Sequence, residues 1–188
     1  MLKVYYKLCF TLVERWGCSL DIELIGYHGT TQDNSSSIMR NKNFKKSIKN
    51  NEWLGHGVYF YELYEKAEWW ASSKKKPVVI KTKILVPEKK YINLDKPSEE
   101  DKLAEFIKSI ETSGKKFIVS GDIHEFRCQI LNIYMRYEGC KVISATLSST
   151  NKKYKSQLES IGYPRTEKQI CVRDTECIVY NELEVMSC

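Results

Sequence analysis

The chain has 188 residues, 42% of them hydrophobic and 29% charged, a globular composition long enough for one domain to bury a core without staples. Thirty Lys and Arg against twenty-four Asp and Glu give a net charge of +6, which favours approach to phosphates and equally serves solubility. No apolar run approaches the roughly 18 to 20 residues of a membrane span, and seven cysteines with no Cys-x-x-Cys pair argue against a disulfide framework or a zinc site.

Lys3 and Lys7 interrupt the apolar residues between Met1 and Val13, and no small-residue cleavage site follows, so the chain reads as cytoplasmic. Ser19 to Ile25 alternates apolar and polar residues, as a half-buried strand does, and ends in an exposed His28-Gly29-Thr30. Asp33-Asn34-Ser35 supplies cap residues for a short helix from Ser36 to Asn41. The Lys- and Asn-rich segment from Asn41 to Glu52 reads as a mobile loop, either a plain surface connection or a lid over a ligand. Further Lys runs lie at 74 to 76, 89 to 90 and 152 to 155.

Gly55 and Gly57 bracket a loop that turns into the strand Val58-Tyr59-Phe60-Tyr61. Glu62 to Ser72 is helix-like, with Leu63, Ala67 and Trp70 on one face, which sets Trp70 toward the interior. Pro77 to Pro87 is a strong strand bounded by prolines, and Tyr91 to Asp95 a shorter one. Helices follow at about Glu99 to Ile110, capped by Ser98 and ended by Gly114, and at about His124 to Tyr137, with a stripe of Phe126, Ile130, Ile133 and Tyr134. Strands are expected at Lys141 to Leu147, at Ile170 to Val172, and in part of Cys177 to Val185. The order suits a single α+β domain spanning 1–188. The cysteines are expected to be reduced and mostly buried. The three histidines, 28, 56 and 124, are too scattered for a metal site, and none is expected.

The order His28-Gly29-Thr30, then Gly55-His56-Gly57-Val58-Tyr59-Phe60, then Ala67-Glu68-Trp69-Trp70-Ala71 resembles the ADP-ribosyltransferase superfamily, in its branch related to the poly(ADP-ribose) polymerases. The resemblance runs from about Leu24 to Ala71, where Asn34 and Ile38 also fall on the family pattern, and covers the remainder weakly apart from the last twenty residues. It implies a split pair of antiparallel sheets packed face to face with flanking helices and an NAD cleft between them. By that resemblance His28 holds the adenosine ribose, Gly29 and Thr30 meet the nicotinamide amide and its ribose, and Tyr59 and Trp70 clamp the pyridinium ring.

The chemistry itself sets a third requirement. Breaking the bond between nicotinamide and ribose develops positive charge on the sugar, so a group must orient the ribose and stabilise that charge. The family places a carboxylate at the start of a late strand. Two candidates match: Glu176, in Glu176-Cys177-Ile178-Val179-Tyr180, and Gln169, ahead of Ile170-Cys171-Val172-Arg173. Gln169 is favoured on topology, because it opens the strand after the loop Gly162 to Lys168, yet it lacks the charge. Glu167 reads either as an exposed loop carboxylate or as a group that orients an acceptor.

The leading expectation is an NAD-dependent mono-ADP-ribosyltransferase with NAD as substrate, no metal and no membrane partner. Its acceptor would be a protein or nucleic acid. Such enzymes occur as bacterial or phage-related toxins and defence factors, acting in their own or a target cell's cytoplasm and held by an antitoxin or immunity partner. The alternatives are an RNA 2′-phosphotransferase-like enzyme on the same fold and a non-catalytic NAD, ADP-ribose or nucleic-acid binding module.

Overall fold

The computed structural model describes residues 21–113, 122–151 and 153–188. The readings at Met1 to Val13, at Ser19 and Leu20, at Gly114 and at Cys9 and Cys18 lie outside them. The fold is α+β, a seven-stranded sheet with five helices among the described residues.

Strand β1 (Asp21–Thr31) alternates in burial from Asp21 to Gly26, as the period-two pattern requires, and loses the alternation from Tyr27 onward. The sequence reading ended it in an exposed His-Gly-Thr, but it runs as a strand through Thr31, with Gly29 and Thr30 buried and His28 partly so. His28, Gly29 and Thr30 sit opposite Ile80, Val79 and Val78 of β3 (Pro77–Pro87). The ladder with β3 holds the motif in extended backbone. Helix α1 (Gln32–Asn41) starts at once, capped by the Thr31 hydroxyl accepting from the Asn34 N–H at 3.2 Å rather than by the Asp33-Asn34-Ser35 cluster.

Strand β2 (Val58–Tyr61) leads into α2 (Tyr64–Ala71). After β3 come β4 (Tyr91–Asn93), α3 (Pro97–Thr112) and α4 (Ile123–Tyr137). Pro97 occupies the first turn of α3, so the expected Ser98 cap lies inside that helix. Asp122 caps α4 by accepting from the His124 N–H at 2.7 Å. Strand β5 (Val142–Ser148), helix α5 (Lys155–Glu159), strand β6 (Thr166–Val172) and strand β7 (Glu184–Ser187) complete the chain. Of the stretch from Cys177 to Val185 only Glu184 and Val185 are strand, in β7; ahead of them stand two 3-10 turns, Thr175–Cys177 and Tyr180–Glu182, joined to the sheet by a bridge between Ile178 and Ile84.

The sheet order is β4-β5-β6-β2-β1-β3-β7. This departs from a pair of separate antiparallel sheets in two ways. The hydrogen-bonded ladder is continuous, and β4 runs parallel to β5, which the intervening helices α3 and α4 make possible as a crossover. Continuity is thin at one place. β1 and β2 share a single registered pair, Tyr27 with Tyr61, whereas β1 and β3 pair throughout.

The two sides of that junction wrap around one apolar cluster. Ile80, Ile84 and Val86 from β3 meet Val58 and Phe60 from β2, Val142 from β5, and Ile170 and Val172 from β6. On the other face, Leu131, Tyr134 and Met135 of α4 cover Ile143, Ala145 and Cys171. The buried side of α4 is therefore rotated from the expected stripe, leaving Ile133 exposed. Cys128, Cys140, Cys171 and Cys177 are free and buried, and Cys188 is exposed. Among the described residues no helix is long and apolar enough to cross a membrane.

Candidate functional site

Beyond the Tyr27–Tyr61 pair β1 and β2 part, and His28 fills the opening. Its Nδ1 lies 2.8 Å from the Tyr59 carbonyl. A carbonyl only accepts, so Nδ1 carries the proton, which leaves Nε2 as an acceptor. The ring packs edge-on against Phe44 and tilted on Phe60, with centroids at 5.2 and 5.7 Å. Burial depresses the His28 pKa below its ordinary value; the Tyr59 hydrogen bond opposes this in part, and the charge of Lys74 adds to it. At neutral pH the imidazole is uncharged.

A cleft of about 230 Å³ opens beside this ring. It collects His28 and Gly29 from β1, Tyr59, Phe60 and Tyr61 from β2, Trp70 from α2, and Glu167 and Gln169 from β6. Segments separate in sequence are thus brought to one place. Two expected site residues stay outside. Thr30 is buried within the β1–β3 ladder opposite Val78 and does not line the cleft. Glu176 is exposed on the 3-10 turn Thr175–Cys177, where its N–H donates to the Asp174 carboxylate at 3.2 Å.

The roles of the residues that do meet differ in part from the sequence reading. Tyr59 lines the cleft, but its hydroxyl donates to the Gly55 carbonyl at 2.5 Å and accepts from the Leu54 N–H at 2.9 Å. It is therefore a strut for the glycine-bracketed loop as well as a wall. Trp70 is 48% exposed rather than interior. Helix α2 lies so close to β1 that only Ala67 and Ala71 fit beneath it, so bulkier Trp70 is displaced to the cleft rim, and Leu63, just ahead of the helix, is exposed. Lys74 Nζ stands 5.3 Å from the Trp70 ring centroid. Gly29 serves the same packing: a Cβ there would sit 2.3 Å from the Ala67 carbonyl oxygen.

The Lys-rich segment is anchored rather than free. Phe44 is 2% exposed in the main core, Ser47 and Gly57 bond each other's backbone, and Leu54 is buried against α4. Between these anchors Lys45, Ser47, Lys49, Glu52 and Trp53 line the cleft. Trp53 is backed by the Arg127 guanidinium, 4.3 Å from its ring, and by His124. The His56 N–H donates to Asn132 Oδ1 of α4 at 2.8 Å.

Glu167 is the largest departure from the sequence reading. It is 4% exposed and lies on β6 rather than on a loop. Its Oε2 accepts from the Ser149 hydroxyl at 2.7 Å and its Oε1 from Gln169 Nε2 at 2.9 Å. The period-two pattern that puts Ile170 inward places Gln169 and Glu167 together on the opposite face. Extending it three residues back from Ile170 would have found the pair. Burial and the nearby Glu167 charge push the Tyr61 hydroxyl well above its ordinary pKa, and burial raises the Cys171 thiol to about 12. Neither is an available nucleophile at neutral pH.

No protein-family model matches the chain. It is similar to an uncharacterized protein of Methanocaldococcus jannaschii, 25% identical over 178 residues, with the match spanning 81% of this chain and 83% of that protein. That relative brings no activity with it, so function has to be read from the cleft.

Proposed function

We propose that the chain is an NAD-dependent mono-ADP-ribosyltransferase on an ADP-ribosyltransferase-like fold, with a protein or nucleic acid as acceptor. The observation that carries this reading is the meeting of His28, Gly29, Tyr59, Trp70 and Gln169 around one cleft at the junction where the sheet narrows to a single pair. In the reaction the C1′–N bond of NAD breaks with its electron pair leaving on nicotinamide. The acceptor nucleophile then bonds C1′ and releases a proton. His28 Nε2 accepts from a ribose hydroxyl of the adenosine, Trp70 stacks on the pyridinium, and Gln169 orients the nicotinamide ribose.

The cleft volume falls below the roughly 300 to 1,000 Å³ of small-molecule sites. NAD would therefore seat its nicotinamide end and the adenosine ribose hydroxyl that meets His28, and lay the pyrophosphate and adenine over the rim. Lys45 and Lys49, both exposed there, offer positive charge to the pyrophosphate.

The direct test incubates the protein with NAD labelled in the adenylate half and a cell lysate, then asks whether label appears in protein, RNA or DNA. Release of nicotinamide without any labelled acceptor would reduce the reading to NAD hydrolysis. Transfer from 2′-phosphorylated RNA to NAD would replace it with the phosphotransferase. One observation favours a second reading, a binding module: the group facing the ribose is a neutral amide. That reading predicts NAD or ADP-ribose binding with no nicotinamide release.

Two outcomes follow for single residues. Trp70→Ala should weaken NAD binding by about 1 to 3 kcal/mol with little change in melting temperature, because the ring is exposed and its loss removes stacking and cation–π attraction. Calorimetric titration checks this, and unchanged affinity would reject the ring clamp.

His28→Ala should abolish NAD binding in folded protein. The wild type should bind NAD evenly from pH 8 to 6.5, the ordinary imidazole value, and lose affinity at lower pH as Nε2 takes a proton and stops accepting. Protonation of this imidazole is harder folded than unfolded, so the unfolded chain binds more protons below pH 6.5 and His28 lowers stability there. The dependence fades over about one unit above that pH, as the unfolded imidazole too loses its proton. Thermal melts of wild type and His28→Ala between pH 5 and 8 separate the two effects.

A further inference from the structure

Glu167 carries a full hydrogen-bond arrangement inside the cleft that the family resemblance gives no role. Its neighbours are fixed by chemistry. A carboxylate only accepts hydrogen bonds, so Gln169 must turn its NH2 toward Glu167, as its Nε2 does at 2.9 Å. The other carboxylate oxygen is met by the Ser149 hydroxyl at 2.7 Å, and Ser149 is itself buried, its N–H bonded to the Arg165 carbonyl. With Nε2 engaged, the amide's acceptor oxygen is the atom left for the cleft.

We propose that Glu167 is a positioning residue that locks the Gln169 amide with Oε1 toward a ribose hydroxyl and places a negative charge directly behind it. The triad Ser149, Glu167 and Gln169 then divides between two side chains what one carboxylate would do. Gln169 makes the contact with the sugar; Glu167 supplies the field and rests on Ser149. An amide contacting ligand is neutral, and its carbonyl is polarised by a charge hydrogen-bonded to its NH2, which strengthens it as an acceptor. The inference deepens the reading of the cleft as an NAD site and rests on it for the ligand, but the contact between the two side chains is testable without any ligand.

The arrangement makes an unusual demand on substitution. Gln169→Glu does not simply restore a missing charge. It sets a second carboxylate where the first stands within hydrogen-bond distance, and two such groups cannot both ionise at low cost. The other titratable groups around the cleft are Tyr59 and Tyr61 from β2, His28 from β1, and Lys45, Lys49 and Glu52 from the anchored loop.

The test uses three variants of the full chain: Glu167→Gln, Gln169→Glu, and the exchange of both. Carboxyl titration by NMR on 13C-labelled protein reads the contact. Gln169→Glu should show a proton held at least one unit above the ordinary Glu value of about 4.3, and the exchanged double variant should lose that coupling. A Gln169→Glu protein that folds only in mild acid reports the same repulsion and supports the contact. Two ordinary titrations in folded Gln169→Glu would overturn it.

The role is read from NAD hydrolysis against pH. Gln169→Glu should acquire a second acid-side dependence beyond the His28 loss expected of the wild type, following the coupled proton, which a purely structural Glu167 would not produce. Glu167→Gln, similar in shape, should lose about tenfold or more in kcat/KM, in line with removal of a charged hydrogen-bond partner, and the exchanged variant should recover most of it. An exchanged variant no better than Glu167→Gln would overturn the positioning role. If the wild type neither binds nor hydrolyses NAD, the NAD reading of the cleft falls, whereas the NMR titration still decides whether Glu167 holds Gln169.

Discussion

Gln169→Ala is expected to cut nicotinamide release from NAD by about 100- to 1000-fold, the usual cost of removing one preorganised group beside developing charge. The side chain is half-buried on β6, lines the cleft and has its amide set by Glu167 at 2.9 Å, so alanine removes both the contact and the path to that charge. Glu176→Gln provides the contrast. Glu176 is exposed on its 3-10 turn away from the cleft, and its exchange should leave turnover unchanged. Chromatographic assay of nicotinamide on folded proteins decides between them. An inactive Glu176→Gln beside an active Gln169→Ala would transfer the site to Glu176.

Gly29→Ala carries the largest stability effect expected. The added Cβ would stand 2.3 Å from the Ala67 carbonyl oxygen and 3.3 Å from the Ala71 Cβ. Both obstacles belong to α2, so a whole helix has to move off the sheet. Overpacking of this kind costs about 1 to 3 kcal/mol and more where backbone must shift. For a chain of this size 3 kcal/mol lowers the melting temperature by roughly 6 to 12 °C. Scanning calorimetry measures it. A normal melting temperature with lost NAD affinity would instead mean that the glycine is kept for the ligand and that α2 has slack.

Local pattern was sufficient where the causes of structure are local. Pro77 and Pro87 bound β3 at the residues expected, and the spacing of Leu103, Phe106, Ile107 and Ile110 gave α3, whose faces are nowhere fully buried. It was insufficient where distant partners satisfy polar residues. The start of β6 reads as loop because Thr166, Glu167 and Lys168 are polar. Yet Lys168 pairs with Asp95 at 3.2 Å and Glu62 at 3.6 Å, while Glu167 is bonded to Ser149.

The exposure of Trp70 failed for a related reason. Helical periodicity shows which residues share a face, but not that α2 rides too close to β1 for anything larger than alanine. The Tyr59 hydroxyl, the Trp53 rim and the Asn132 brace depend on where the loop at 42–57 meets α4, and no local spacing encodes that. Cleft residues near the glycine motif were legible because one short stretch supplies them. Those from β6 required knowing which strand becomes β2's neighbour.

That neighbour also sets when the cleft can come into being. β6 alone joins β2 to β5, with Tyr61 opposite Gln169 on one side and Ala145 opposite Gln169 on the other. A nascent chain that has emerged only through Ser148 already displays the whole glycine motif, but β2 and β5 have no shared partner and the carboxylate–amide wall is missing. Domains assemble as units while synthesis proceeds from the N-terminus. The cleft is therefore completed in one late step, when Thr166–Val172 slots between strands already made, and on the proposed reading a polypeptide arrested or clipped ahead of that segment is expected to be inert toward NAD however completely its earlier motif has been translated.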